Sequence, residues 1–348
     1  MNNLKEIEVK ICELLQRNDL KTESFSIEQY KRTGNNRTYI IESGSIKYFA
    51  KYFFRDKDDL RDRFNTEFSF VKYAEKTAPG FTPKILHTDP ENCLIIYEFI
   101  NGKPLVKNQI SEYEVLQAAT FLKQLNKKLS LNENVYLPPA SEACFSINDH
   151  LMLILNRINQ LANIPTDSIE NLKALNLVQQ INEIWNNETI RIRRACKEDG
   201  IDMFKQIDSS EKIISPSDFG FHNCLIMDDH KVVFLDFEYA GWDDSAKLVG
   251  DFFGQIQIPV PDKFFDYFTD LIFKDFHSSI QLKKRAKILL NAFKLKWACI
   301  ALNIFLPLHL NRRKFSNPDL DVVLLKNEQL QKATNILKIF KSKVDGVY

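Results

Sequence analysis

The sequence predicts an α+β protein in two lobes: a β-rich first lobe over residues 1–100, an antiparallel sheet with one inserted helix, and a mostly helical second lobe over 101–348. Three observations predict this. Short β-branched and aromatic runs separated by turn residues fill the first hundred positions. Apolar stripes at helical spacing dominate from Ser111 onward. Gly102 and Pro104 punctuate the join.

The first lobe opens with a helix over 3–17, whose apolar positions Leu4, Ile7, Ile11, Leu14 and Leu15 repeat at helical spacing. Strand-like runs follow at Phe25–Tyr30, Arg37–Glu42 and Ile46–Phe54, the last two joined by the turn Ser43-Gly44-Ser45. The loop 32–36, Arg-Thr-Gly-Asn-Asn, could lay backbone N–H groups over phosphates, although with the single Gly34 an ordinary hairpin turn explains it as well or better. Along the third run Lys47, Phe49, Lys51 and Phe53 share a face, because strand side chains alternate. A helix over 57–76 carries Glu67 at the edge of its apolar stripe, where a carboxylate needs a partner or a route to water. An ion pair between Lys51 and Glu67 accounts for both charges, with Lys47 left to solvent near the turn. Two more strands, Lys84–His87 and Cys93–Phe99, complete a five-stranded sheet.

In the second lobe Ser111 and Glu114 form a capping-box start for a helix. Further helices are expected at about 147–162, 168–186, 188–198, 262–276, 281–303 and 319–342, with 245–253 also regular. Between them lies one hairpin, in the stretch Ser215 to Gly241. Cys224–Met227 and Val232–Leu235 flank the polar residues 228–231. Counted outward from a four-residue turn, Asn223 falls opposite Asp236, with Cα atoms about 4.5–5.5 Å apart. Asp218 lies five residues before Asn223, in a loop containing Gly220. Two carboxylates and an amide thus converge at the open end of the hairpin. An all-oxygen set of this kind suits Mg²⁺, which takes one or two protein ligands plus substrate phosphates, and a spare carboxylate can accept a hydroxyl proton. The plain alternative is a surface hairpin with solvated acids.

Composition narrows the partners. The chain has 47 Lys and Arg against 46 Asp and Glu, a net charge of +1, so there is no electrostatic case for nucleic acid or an anionic membrane. The six cysteines, at 12, 93, 144, 196, 224 and 299, form no C-x-x-C pair and read as reduced thiols of a cytoplasmic protein. The start, MNNLKEIEVKICELL, has acids within its apolar stretch and is not expected to be a signal peptide. The longest apolar run, Trp297–Leu308, is interrupted by Asn303 and is shorter than the roughly 20 residues a membrane span needs.

The order of lysine on the third strand, glutamate on the next helix, a Gly/Pro join, then D-x-x-x-x-N and D-F-E, resembles the aminoglycoside phosphotransferase and choline kinase family, small-molecule relatives of the protein kinases. The resemblance spans roughly residues 30–305 and is strongest in SDFGFHN (217–223) and FLDFEYAGWDD (234–244). It implies a bilobal protein-kinase-like fold, ATP and Mg²⁺ as cofactors, and a small-molecule hydroxyl as acceptor. It further implies Asp218 as catalytic base, Asn223 and Asp236 as Mg²⁺ ligands, Lys51 on the α/β-phosphates with Glu67 positioning it, Gly34 in the phosphate loop, and Glu98 to Ile100 beside adenine. The chain departs from the family pattern in places. Pro216-Ser217 stand where His-Gly is usual, Ser245 where Pro is usual, and Leu248 where an Asp is usual, with Asp251 three residues on. No A-P-E-like segment follows Asp236, which argues against a protein substrate. The run Lys283, Lys284, Arg285, Lys287, Lys294, Lys296, Arg312, Arg313 and Lys314 is expected to be mostly a solvated face. It still favours a neutral or anionic acceptor such as a sugar or polyol over an aminoglycoside or choline. Trp242 and Trp297 could stack on a sugar, although core packing is the simpler reading for Trp297. A kinase-fold binding protein that transfers nothing is the alternative of another class.

Overall fold

The computed structural model describes residues 2–17, 25–30, 34–55, 61–127 and 136–345. The N-terminal lobe is a five-stranded antiparallel sheet in the order β1-β2-β3-β5-β4, formed by β1 (Phe25–Gln29), β2 (Arg37–Ser43), β3 (Ile46–Tyr52), β4 (Ile85–Asp89) and β5 (Leu94–Glu98). Strand alternation gives the sheet two apolar faces. Tyr39, Ile41, Tyr48, Ala50, Leu94 and Ile96 pack under Ile7, Ile11, Leu14 and Leu15 of α1 (Asn2–Arg17). The opposite face, with Phe53, Ile95 and Tyr97, joins the main core through Phe70, Val71 and Ala74 of α2 (Arg63–Thr77). Asp62 caps α2 by accepting from the Asn65 N–H at 3.1 Å.

β5 leads into β6 (Gly102–Pro104), which pairs with β8 (Cys224–Met227), and β8 in turn pairs with β9 (Val232–Phe234). The chain's crossing point is thereby stitched to the hairpin. A second two-stranded ribbon joins β7 (Lys212–Ser215) to β10 (Gly241–Asp244). None of β6, β7 and β10 is evident in the sequence pattern, because none sits beside a hairpin turn of the kind that marks the equally short β8 and β9.

The helices are α3 (Glu112–Leu125), α4 (Ile147–Leu161), α5 (Ile169–Glu198), α6 (Ser245–Gly254), α7 (Phe265–Phe273), α8 (Ser279–Leu302), α9 (Pro307–Ser316) and α10 (Val322–Asp345). The capping box of Ser111 and Glu114 is formed. One element differs from expectation: 168–186 and 188–198 are a single helix. Nothing at Asn186-Asn187 breaks it, and the stripe Val178, Ile181, Trp185, Glu188, Ile192, Cys196 runs through. α9, begun by Pro307 in its first turn, is an addition.

α8 is the axis of the lobe. It is long and apolar enough to span a membrane, but 78% of its apolar window is buried in the protein. α6 lies directly on it: a Cβ at Gly250 would come within 2.2 Å of the Phe293 ring, so only glycine allows the approach. Next to this contact, Asp244 caps α6 through the Ala246 N–H (2.8 Å) and sits between His150 of α4 (2.9 Å) and Arg285 of α8 (2.6 Å). All three side chains are buried. Burial alone would raise the Asp244 carboxyl, but His150 and Arg285 outweigh it and hold it far below its ordinary value. A folded-state pKa depressed in this way adds stability above the unfolded value of about 3.9 that is lost as pH falls below it. Asp244→Asn is therefore expected to destabilise the fold by about 3–5 kcal/mol and to flatten the loss of stability below about pH 4. Denaturant titrations at pH 7 and pH 3 check both effects.

Candidate active site

The hairpin forms, but its register is one residue off the expected one. β8 and β9 pair Cys224 with Phe234 and Ile226 with Val232, which leaves a three-residue loop, Asp228–His230. His230 takes φ +65° there, the left-handed residue that ends such a loop. Asn223 therefore faces Leu235, whose N–H it receives at 2.8 Å on its own carbonyl. Asp236 is the next residue along, turned out of the strand by φ +68°. The turn chemistry rather than the apolar runs decides this register.

Lys51 of β3 meets both lobes. Its Nζ donates to Glu67 Oε2 at 2.6 Å and to Asp236 Oδ1 at 2.5 Å. Lys51 is 6% exposed and Glu67 3%. Burial works against the ammonium, but Asp236 and Glu67 outweigh it and hold the lysine charged, above its usual pKa. Burial lifts Glu67 to about 7 while Lys51 pulls it down. Tyr97 of β5 donates its hydroxyl to Glu67 Oε1 at 2.7 Å, a partner the sequence reading missed. Lys47, as expected, is exposed and paired with Glu42.

These residues face a cleft of about 320 Å³ whose walls include Gly34, Lys51, Glu67, Glu98, Ile100 and Asp236, six of the eight sequence-predicted site residues. At the inner edge Glu98 Oε1 accepts the Lys84 N–H (2.9 Å) and the Ile100 carbonyl accepts that of Gly102 (3.0 Å). Arg32 and Thr33 of the expected phosphate loop lie outside the described residues; its second half is held by Glu238. This buried carboxylate takes Asn35 Nδ2 at 2.8 Å and Asn36 Nδ2 at 2.5 Å, with Arg63 3.4 Å away. Glu238 is the third letter of the D-F-E motif, which was the signal for it.

Asp218 opens onto a neighbouring cleft, and Asn35 lines both. Ser217, where the family pattern has Gly, takes φ +66°, a strained value for serine. Asn223 Nδ2 donates to the Asp218 carbonyl at 3.1 Å, which leaves its amide oxygen as the ligand-capable end. The histidine missing before Asp218 has a counterpart after it. His222 Nε2 lies 3.1 Å from Asp218 Oδ1, with Trp297 packed edge-on against the imidazole. Gly220 makes room, since a Cβ there would sit 2.8 Å from His222 Nδ1. Burial pushes the Asp218 carboxyl up, but the charge and hydrogen bond of His222 outweigh it, and its pKa lies below the ordinary value. The i,i+4 spacing within SDFGFHN was a legible sign of this contact.

The oxygen set Asn223 and Asp236 fits Mg²⁺ shared with phosphates. Among the described residues no group of three or more His, Cys, Asp or Glu side chains could hold a metal alone.

The expected solvated basic face holds only in part. Lys283 and Lys284 make surface pairs with Asp270 and Asp199. Arg285, Lys294, Lys296 and Arg312 are instead buried. Lys296 donates to both oxygens of Asp251 (2.7 and 2.9 Å), and Lys247 donates to Asp243 at 2.7 Å. Trp297 is core, as expected, but its indole N–H also reaches Asp251 at 3.0 Å.

No protein-family model and no curated protein sequence matches the chain. Solved structures do. An ethanolamine kinase of Plasmodium vivax superposes with a TM-score of 0.58 at 17% identity, covering 95% of this chain and 88% of that one. A choline kinase of Cryptosporidium parvum gives 0.59 at 12%, with 97% of each chain covered. A spectinomycin phosphotransferase in complex with ADP and spectinomycin gives 0.53 at 13%, covering 90% of this chain and 92% of that one. The chain has the bilobal protein-kinase-like fold of these proteins.

His222→Phe removes the charge and hydrogen bond that lower Asp218. The Asp218 pKa should rise toward or above its ordinary value of about 3.9, as read by carboxyl NMR titration; an unmoved pKa would show that His222 does not govern it.

Proposed function

We propose that the protein is a small-molecule kinase that moves the γ-phosphoryl group of Mg·ATP to a hydroxyl of a sugar or polyol in the cytoplasm. One observation carries this reading: the Lys51 ammonium is held between Glu67 of one lobe and Asp236 of the other, on the wall of a nucleotide-sized cleft. In this reading Lys51 neutralises the α/β-phosphates, Glu67 and Tyr97 fix its direction, and the backbone from Glu98 to Ile100 flanks adenine. Asn223 and Asp236 would hold Mg²⁺, which supplies charge neutralisation on the phosphates. Asp218, ionised at neutral pH and facing the adjoining cleft, orients the acceptor hydroxyl and takes its proton as the new bond forms. Asn35 lines both clefts, so in this reading phosphate and hydroxyl would meet beside it. The rate gain comes mainly from positioning and fixed charge.

The ADP in the spectinomycin phosphotransferase structure supports the nucleotide assignment. Choline, ethanolamine and aminoglycosides are the alternative acceptors. A fold that binds nucleotide without transfer is disfavoured, because Lys51, Glu67 and Asp236 line one cleft and Asp218 the next, with Asn223 held on the Asp218 carbonyl. The six cysteines are free, which suits a reducing compartment.

Asp218→Asn should lower kcat by about 10²–10⁴ while calorimetry still shows ATP binding; transfer at the wild-type rate would remove Asp218 from the chemistry. Asp236→Ala should weaken Mg·ATP binding at least about tenfold with little effect on metal-free ATP; equal affinity for both forms would refute the metal role.

A further inference from the structure

Asp218 is carried on a turn that its own sequence resists. Its N–H donates to the Pro216 carbonyl at 3.0 Å across Ser217, and Ser217 takes φ +66°. A bond of this span over a left-handed central residue marks the rarer, strained form of γ-turn. Glycine adopts such a φ freely, whereas a serine must be held there by its surroundings. Three contacts hold it. The Ser217 N–H donates to Ser215 Oγ at 3.0 Å, the Ser217 hydroxyl donates to the Ser141 carbonyl at a long 3.5 Å, and the Lys247 ammonium donates to Ser217 Oγ at 3.0 Å. The last is charge-assisted, which makes it the strongest of the three in kind. Lys247 lies on α6, is 1% exposed, and shares a cleft wall with Ser217 and Asp218. Its three N–H donors are surrounded by three acceptors: Ser217 Oγ, Asp243 Oδ2 at 2.7 Å, and Asp251 Oδ2 at 3.5 Å. Burial opposes the ammonium, but Asp243 and Asp251 outweigh it and keep it charged. The two acids fix where the nitrogen sits. α6 itself is fixed by the close approach of Gly250 to Phe293, so the contact with Ser217 ties the turn to the packed core of the helical lobe.

Resting on the kinase reading, we infer that Lys247 is a positioning residue for the transfer: through the Ser217 hydroxyl it holds the strained turn 216–218 closed and so fixes the direction in which Asp218 enters the cleft. His222 acts on the Asp218 carboxylate; Lys247 acts on the backbone that carries it. Ser217 is also where the chain departs from the family pattern, glycine being usual there, and Lys247 is the partner that the serine hydroxyl gains. A glycine would relax the turn but leave it untethered. The serine keeps the strain and, with the lysine, converts it into one defined orientation of the base.

The test compares Ser217→Gly, Ser217→Ala and Lys247→Gln in the full chain, each checked for a cooperative melting transition. A lysine that only balances buried charge would leave Ser217→Gly with the native kcat. A lysine that aims Asp218 through the serine predicts a kcat about ten- to a hundredfold lower in Ser217→Gly, with KM for ATP unchanged. It also predicts amide hydrogen exchange at Asp218 at least about tenfold faster in that variant. Ser217→Ala keeps the side chain that opposes φ +66° and loses the hydroxyl that Lys247 holds, so it should melt below Ser217→Gly. Adding Lys247→Gln to Ser217→Gly should lower kcat no further than the more damaging of the two single changes, because both remove the same bond. If loss of the cation between Asp243 and Asp251 unfolds Lys247→Gln, the serine variants decide by themselves. Native kcat in Ser217→Gly, exchange at Asp218 no faster than in the native chain, or a glycine variant that melts no higher than the alanine one overturns the proposal and leaves the kinase reading intact. Faster exchange at Asp218 in a chain whose native form transfers phosphate to no acceptor supports the tether and overturns the kinase reading instead.

Discussion

An ammonium buried between two carboxylates from different lobes is the constraint on which the site depends. Lys51 on β3, Glu67 on α2 and Asp236 after β9 are far apart in sequence, yet they lie within hydrogen-bond distance of one lysine nitrogen. Removing the lysine from water carries a cost of several kcal/mol that a single exposed partner would not offset. Two carboxylates at 2.5–2.6 Å do, and so the pose of the sheet over the helical lobe is tied to the state of this group. Glu238 makes a second tie, two residues along the same loop, by holding Asn35 and Asn36. A third tie is aromatic and basic. Phe315 at the end of α9 stacks on Tyr52, meets Phe54 edge-to-face and lies under the Arg37 guanidinium, while Ser316 donates to the Asn36 carbonyl. Sheet and helices are thus joined on both sides of the cleft that Lys51 faces.

The helical lobe uses charge in a different way. α8 carries apolar residues toward α6 and cations at its margins, and each buried cation is met by an acid from another element: Arg285 by Asp244, Lys296 by Asp251, Lys294 by Asp262. These pairs fix the direction in which α6, α8 and the β10 ribbon face one another, and they place Lys296 and Trp297 on the wall of the cleft beside Asp218. The same helix therefore anchors the core and sets the polarity of the second site.

Much of this was legible along the chain. The alternation in β3 that places Lys51 with Phe49 and Phe53, the odd carboxylate on α2, and the spacing from Asp218 to Asn223 to Asp236 are local features, and local periodicity reports them directly. What failed was also specific. The hairpin slipped by one residue because a left-handed His230 closes a three-residue loop, and backbone conformation of that kind is poorly encoded by a histidine. The basic run was misread in part because charge pattern alone cannot distinguish a lysine facing water from one facing an aspartate 45 positions away, as Lys296 does. His222 departs from the family pattern, in which the histidine precedes the catalytic aspartate, because here it lies four residues after Asp218 and reaches it only through the fold of the loop.

By itself the sequence determined the two-lobed α+β architecture, the sheet order's raw material and the chemical groups Lys51, Glu67, Asp218, Asn223 and Asp236, since these follow from side-chain periodicity and residue type. Tertiary structure alone decided the register that separates Asn223 from Asp236, the burial of Arg285, Lys294, Lys296 and Arg312, and the cleft beside Asp218. The physical reason is that these depend on distances between residues remote in the chain, and a charge's energy is set by what surrounds it in space rather than by its neighbours in sequence.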